Sequence, residues 1–123
     1  MPTLIFTEDA TSLDVGMPST VTQVKVPTND GGLDLRQILL ALGERGANEI
    51  LIESGPSLAA AFLKAELVDE LLIYQAPVLL GSSARPLADL AFSELKDGIQ
   101  LAYQEVSPLG SDLRIIAAVL KGN

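Results

Sequence analysis

Apolar and polar positions regroup along the chain in two rhythms, one of strands and one of helices. Residues 4–7 form a short apolar run of strand type, and within residues 20–26 the positions Thr22, Val24 and Val26 fall on one face of a second strand. Residues 8–19 between them are rich in turn formers. Residues 28–32, Thr-Asn-Asp-Gly-Gly, have loop chemistry. Asp34 then stands as an N-cap before Leu35, Ile38, Leu39 and Leu42, which recur at helical spacing until Gly43 and Gly46 end the helix. Residues 49–53 are a compact apolar run with an acid at each end. That pattern predicts a strand covered on both faces, whose neighbours must be parallel or mixed.

At Ser54-Gly55-Pro56-Ser57 the predicted strand turns directly into a second helix. Pro56 suits its first position, Leu58, Phe62 and Leu63 supply its apolar stripe, and it ends near Ala65 or Glu66. Residues 70–76 read as the next strand, followed by Pro77-Val78-Leu79-Leu80-Gly81 and the loop of residues 82–86. Residues 101–106 and 114–120 read as two closing strands, joined through a hairpin-like turn over residues 107–112. Strand, strand, helix, strand, helix, strand and a final strand pair predict an α/β domain of two or three layers with a mixed sheet.

The length of 123 residues fits one domain, and a hydrophobic share of 48% is enough for a sizeable core. No run approaches the roughly 18 apolar residues of a membrane span, and the first residues lack the basic-then-apolar pattern of a leader. A soluble, cytoplasmic protein is expected. The chain holds no Cys and no His, which closes zinc, thiol and imidazole chemistry to it. Its acids are scattered, without the spacing of a calcium loop, so no metal site is expected. A net charge of −8 with no basic cluster argues against nucleic acid as a partner. A small anion remains possible, because local backbone donors override the net field within a Debye length of roughly 8 Å.

Residues 53–58, Glu-Ser-Gly-Pro-Ser-Leu, carry the strongest chemical signal. A strand opening into a helix through small residues presents free backbone N–H groups and the positive end of the helix dipole, where phosphate binds. Gly55 lets a ligand approach the backbone, Pro56 sets the first turn, and the Ser57 hydroxyl is placed to donate; an ordinary helix start would look the same. Glu53 stands at the carboxyl end of the predicted strand, the edge where α/β sheets bind ligands, although taken alone it fits a solvated strand end better. Arg85 could meet a phosphate bidentately or simply be solvated. Asp69 and Glu70 read as solubilising, Tyr74 and Tyr103 as half-buried sheet residues, and residues 30–32 as a plain connection.

Residues 49–87 join an E-x-G-P-[ST]-L turn, a helix, L-V-D-E-L, a strand, A-P-x-L-L-G and A-R-P-L, and upstream stands Gly32-Leu33-Asp34-Leu35. In this order the motifs resemble the C-terminal reductase domain of the bifunctional riboflavin-biosynthesis deaminase/reductase family. The resemblance implies a dihydrofolate-reductase-like mixed sheet flanked by helices, here an incomplete domain. It also implies NADPH-dependent reduction of the ribosyl group of 5-amino-6-(5-phosphoribosylamino)uracil to the ribityl product. Carried over by position, Glu53 contacts the substrate, and Gly55, Pro56, Ser57, Leu58, Ala59, Ala60 and Ala61 form the helix-start cradle for the NADPH phosphate. Such catalysis consists mainly in placing donor carbon against acceptor carbon, so it tolerates the lack of His and Cys.

Ser54 stands where the family commonly has Gly, and the family's domain is nearly twice as long, its first half carrying the Ser, Asp and Arg residues of the substrate pocket together with part of the NADPH site. Residues 1–123 are therefore expected to be the C-terminal, NADPH-side part of the reductase domain, self-associating into a homo-oligomer and inactive alone. Two alternatives stay open at this level: a non-catalytic nucleotide-binding or interaction module, and a reductase of a related pteridine or folate-like substrate.

Overall fold

The computed structural model describes residues 2–8, 16, 18–29 and 31–121. Most of the turn-rich stretch at residues 8–19, and Asp30 of the glycine loop, lie outside the described residues. The chain divides into two compact units, residues 1–51 and 52–123.

In the first unit β1 (Thr3–Glu8) and β2 (Val21–Val26) pair in parallel, Thr3 opposite Val21 and Glu8 opposite Val26. Val26 is buried, Val24 is half-buried on the same face, and Gln23 Nε2 donates across the ladder to Thr7 Oγ1 at 2.7 Å. The segment read as a plain loop closes into a minimal antiparallel pair, β3 (Thr28–Asn29) with β4 (Gly32–Leu33), turning at Gly31 with φ 82°. Helix α1 (Leu35–Gly43) starts as expected: Asp34 Oδ1 accepts from the backbone N–H groups of Arg36 and Gln37 at 2.9 and 3.2 Å. Leu35, Ile38, Leu39 and Leu42 are half-buried, and Leu40 on the opposite face is exposed. The helix closes through Gly46 at φ 90°, with Ala47 N–H donating to the Leu42 carbonyl and Gly46 N–H to that of Gly43, the double bond of a left-handed C-terminal cap.

Residues 49–53 correct the sequence expectation. They join no ladder, and Leu51 is 73% exposed. An apolar run creates a strand only where another strand supplies backbone partners, and none of the described strands pairs with this one.

The second unit opens with α2 (Pro56–Lys64), followed by β5 (Glu70–Gln75), a long irregular stretch, a short 3₁₀ turn at Leu95–Asp97, and the hairpin β6 (Leu101–Leu109) and β7 (Asp112–Val119). The sheet order is β5-β7-β6, antiparallel throughout, with Ile73 and Val106 both opposite Ile115. The described ladders thus mix parallel pairing in one unit with antiparallel pairing in the other. The hairpin is tighter than expected, since residues 107–109 and 112–113 belong to strands and only Gly110, at φ 62°, and Ser111 turn. Pro108 does not break β6 because β6 is an edge strand, where its missing N–H is not needed. Central β7 holds the core, Ala117 being fully buried and Ile115 nearly so, while Ala60, Phe62 and Leu63 are the buried side chains of α2. Tyr74 and Tyr103, expected half-buried, are mostly exposed, because they stand on the outer strands of a sheet only three strands wide.

Candidate functional site

The start of α2 is built as its residue types dictate. Gly55 is the N-cap, with φ −74° and ψ 172°, Pro56 occupies the first helical position, and the first helical bond runs from Ala59 N–H to the Gly55 carbonyl at 3.1 Å. Pro56 has no N–H, so Ser57 and Leu58 carry the two orphan donors of the first turn. No side chain caps them. Ser57 is exposed and Leu58 nearly half so. A Cβ placed on Gly55 would meet nothing within 4 Å, so the space beside this backbone is open to a ligand.

The cradle residues divide by depth. Gly55, Ser57 and Leu58 are exposed, Pro56, Ala59 and Ala61 half-buried, and Ala60 faces the interior at 3% exposure. Hence only the first turn offers groups to a ligand, while Ala60 anchors the helix beneath it. Glu53 lies two residues before the N-cap, exposed on the unpaired segment and not at the end of a strand.

One contact had no sequence signal. Asp89 N–H donates to the Pro56 carbonyl at 3.0 Å, and Lys64 Nζ reaches the Asp89 carbonyl at 3.4 Å, so the chain beyond Arg85 is tied to α2 at both ends of the helix. Below it an apolar cavity of about 300 Å³ is lined by Leu63, Leu71, Leu90, Phe92 and Leu101, among others. It offers no donors for a phosphate and belongs to packing. Among the described residues no three of His, Cys, Asp and Glu gather as a metal site, and no helix is long and apolar enough to cross a membrane.

The profile of the RibD C-terminal domain matches residues 1–115. The chain belongs to this family. Riboflavin biosynthesis protein RibD of Escherichia coli K12 is 43% identical over 97 residues, covering 78% of this chain and 26% of the relative. The 5-amino-6-(5-phosphoribosylamino)uracil reductase of Buchnera aphidicola subsp. Acyrthosiphon pisum is 31% identical over 106 residues, 85% of this chain and 51% of that protein. Among solved structures, Acinetobacter baumannii RibD superposes with a TM-score of 0.73 at 29% identity, covering 82% of this chain and 27% of the other. A riboflavin biosynthesis protein from Shewanella sp. PV-4 superposes with a TM-score of 0.65 at 25% identity, covering 98% of this chain and 61% of the other. The chain thus spans about a quarter to a half of the curated relatives' length, and the RibD C-terminal match includes the whole E-x-G-P-[ST]-L turn and α2.

Proposed function

We propose that this chain is the NADPH-side part of a reductase that converts 5-amino-6-(5-phosphoribosylamino)uracil to its ribitylamino product in riboflavin biosynthesis. The observation that carries the proposal is the first turn of α2: two orphan N–H donors, a helix dipole, and open space over Gly55 in which an anionic group can reach the backbone. The residues fit a nucleotide phosphate, because Ser57 and Leu58 supply donors while the Ser57 hydroxyl adds a third. When bound, NADPH supplies the hydride for the ribosyl carbon. Gly55, Pro56, Ser57 and Leu58 hold the phosphate end in place, with Ala59, Ala60 and Ala61 supporting the helix behind them. Glu53, two residues upstream and exposed, orients the polar pyrimidine ribose phosphate. Positioning of this kind is the main protein contribution to a hydride transfer.

The protein acts, in this proposal, in the cytoplasm and as a homo-oligomer. Support for self-association comes from Leu72, Tyr74, Tyr103 and Val106, apolar or aromatic side chains exposed on the two outer strands of the three-stranded sheet.

Calorimetric titration of the 123-residue chain with NADPH, with Gly55→Val alongside, tests the cradle. The Cβ that the substitution adds meets no neighbouring atom and the φ of −74° is open to any residue, so circular dichroism should show the helix retained, with a modest loss of stability from the poorer N-cap. Micromolar binding to the parent and none to the variant is expected. Equal binding by both would mean that NADPH does not approach this backbone.

A further inference from the structure

Between Gln75, the last residue of β5, and Asp89 the chain forms an irregular arc in which no residue belongs to a helix or strand. Connections of this length inside a compact unit usually carry function. The arc is sparsely tied. Among its described residues only Val78 and Ala84 donate backbone bonds, to the carbonyls of Ala76 and Gly81, and Pro77 and Pro86 have no N–H. It also displays three consecutive apolar side chains, with Leu79 fully exposed and Val78 and Leu80 mostly so. A segment that stays permanently open gains nothing from such a run, because each side chain keeps apolar surface in water.

The ends of the arc fix where it can move. Helix α2 has nine residues, about 13.5 Å. Residues 65–69 lead from it into the six residues of β5, about 20 Å. Leu71, at the start of β5, lines one cavity with Leu63, near the end of α2, so β5 sets out from the C-terminal end of the helix and carries the chain on to Gln75. At its far end the arc is tied to the helix start, through Asp89 N–H on the Pro56 carbonyl. On both sides of that tie, Leu87, Ala88, Leu90 and Phe92 line the apolar cavity with Leu63 and Leu71. The arc therefore leaves the sheet at Gln75, is tied at its far end to the first turn of α2, and has a loose middle. Within that middle, Gly81 has open space around it, and Arg85 is exposed with no side-chain partner among the described residues. Asp89 is four positions beyond Arg85, a span of at most about 14 Å, so the Arg85 guanidinium can reach the helix start.

We propose that residues 76–86 form a strap that closes over a nucleotide held at the first turn of α2, bringing Arg85 to its phosphate and covering Val78, Leu79 and Leu80. This inference rests on the cofactor assignment above and adds the moving part to it. Arg85 is suited to the task because its planar fork bonds a phosphate bidentately and holds its charge at any working pH. Closure also explains how a chain of net charge −8 retains an anionic ligand, since the one cation in the middle of the strap arrives with it.

The test is hydrogen–deuterium exchange of the full 123-residue chain with and without NADPH, run beside calorimetry on the same samples and repeated with Arg85→Ala. In the free protein the unbonded amides of residues 79–83 and 85 should exchange rapidly; saturating NADPH should slow them at least tenfold. Arg85→Ala, an exposed position whose fold circular dichroism will verify, should lose that protection and bind about tenfold more weakly. If NADPH binds while exchange in residues 79–85 is unchanged, the strap is wrong and the cofactor assignment stands. If calorimetry shows no binding, both fall.

Discussion

Glu66 sits at φ 55°, a left-handed conformation that side chains other than glycine adopt reluctantly. It does so because α2 ends there: Leu67 N–H donates to the Phe62 carbonyl and Glu66 N–H to that of Leu63, a pair of bonds that requires a left-handed residue at this position. Helix α1 ends by the same two bonds with Gly46 in the equivalent place. The pair gives opposite predictions from one cause. Glu66→Gly should raise stability by about 0.5–1 kcal/mol, the relief of strain being partly offset by the greater freedom of glycine in the unfolded chain. Gly46→Ala should lower stability by about 1 kcal/mol. Urea midpoints of the two variants check both, and a destabilised Glu66→Gly would show that its carboxylate or stem supplies more than its backbone costs.

At the scale of elements, ends were more legible than partners. Asp34, Gly55 and Pro56 marked the starts of both helices, and Gly43 and Gly46 the end of α1, because caps act over three or four residues, a range that a short stretch of sequence contains. The apolar run at residues 49–53 looked equally definite, yet it pairs with none of the described strands, because a ladder depends on residues far away in the chain. Pro108 misled in the other direction. It suggested a turn, but on an edge strand it is tolerated, and β6 continues to Leu109. The first turn of α2 could be read from its motif, whereas the Asp89–Pro56 bond that ties the later chain to it could not, having no local signature. The same contrast between centre and edge sets the cost of substitutions within the sheet. Ala117, fully buried on central β7, lies directly opposite Tyr103 on β6, which is 71% exposed. Ala117→Leu should cost about 1–3 kcal/mol through overpacking, while Tyr103→Thr, keeping strand propensity on an exposed face, should cost under about 0.5 kcal/mol. Thermal melts of the two variants would contradict this arrangement if Tyr103→Thr proved the more damaging.

On the scale of the whole molecule the dominant quantity is charge. The chain carries sixteen acids against eight bases and is proposed to take an anionic cofactor, so its net charge repels at long range the ligand that the local donors attract. The two effects separate by distance: repulsion acts across several Debye lengths during approach, while the α2 donors act only on contact. Several of the bases are already matched by acids, Lys96 with Glu94, Arg114 with Glu105 and Lys121 with Asp69, each at 2.9 Å, which leaves little positive field to project outward. Salt should therefore speed association. Raising ionic strength from about 0.02 to 0.2 M, which shortens the Debye length from more than 20 Å to less than 10 Å, should increase the NADPH on-rate a few-fold in stopped-flow measurements. Dissociation should change less, or accelerate slightly, as contacts with the phosphate are screened. An on-rate that instead fell with salt would mean that the approaching cofactor meets a locally positive face, with Arg85 already turned toward the site before binding. The sign of that single slope thus decides whether the net charge or the strap governs the encounter.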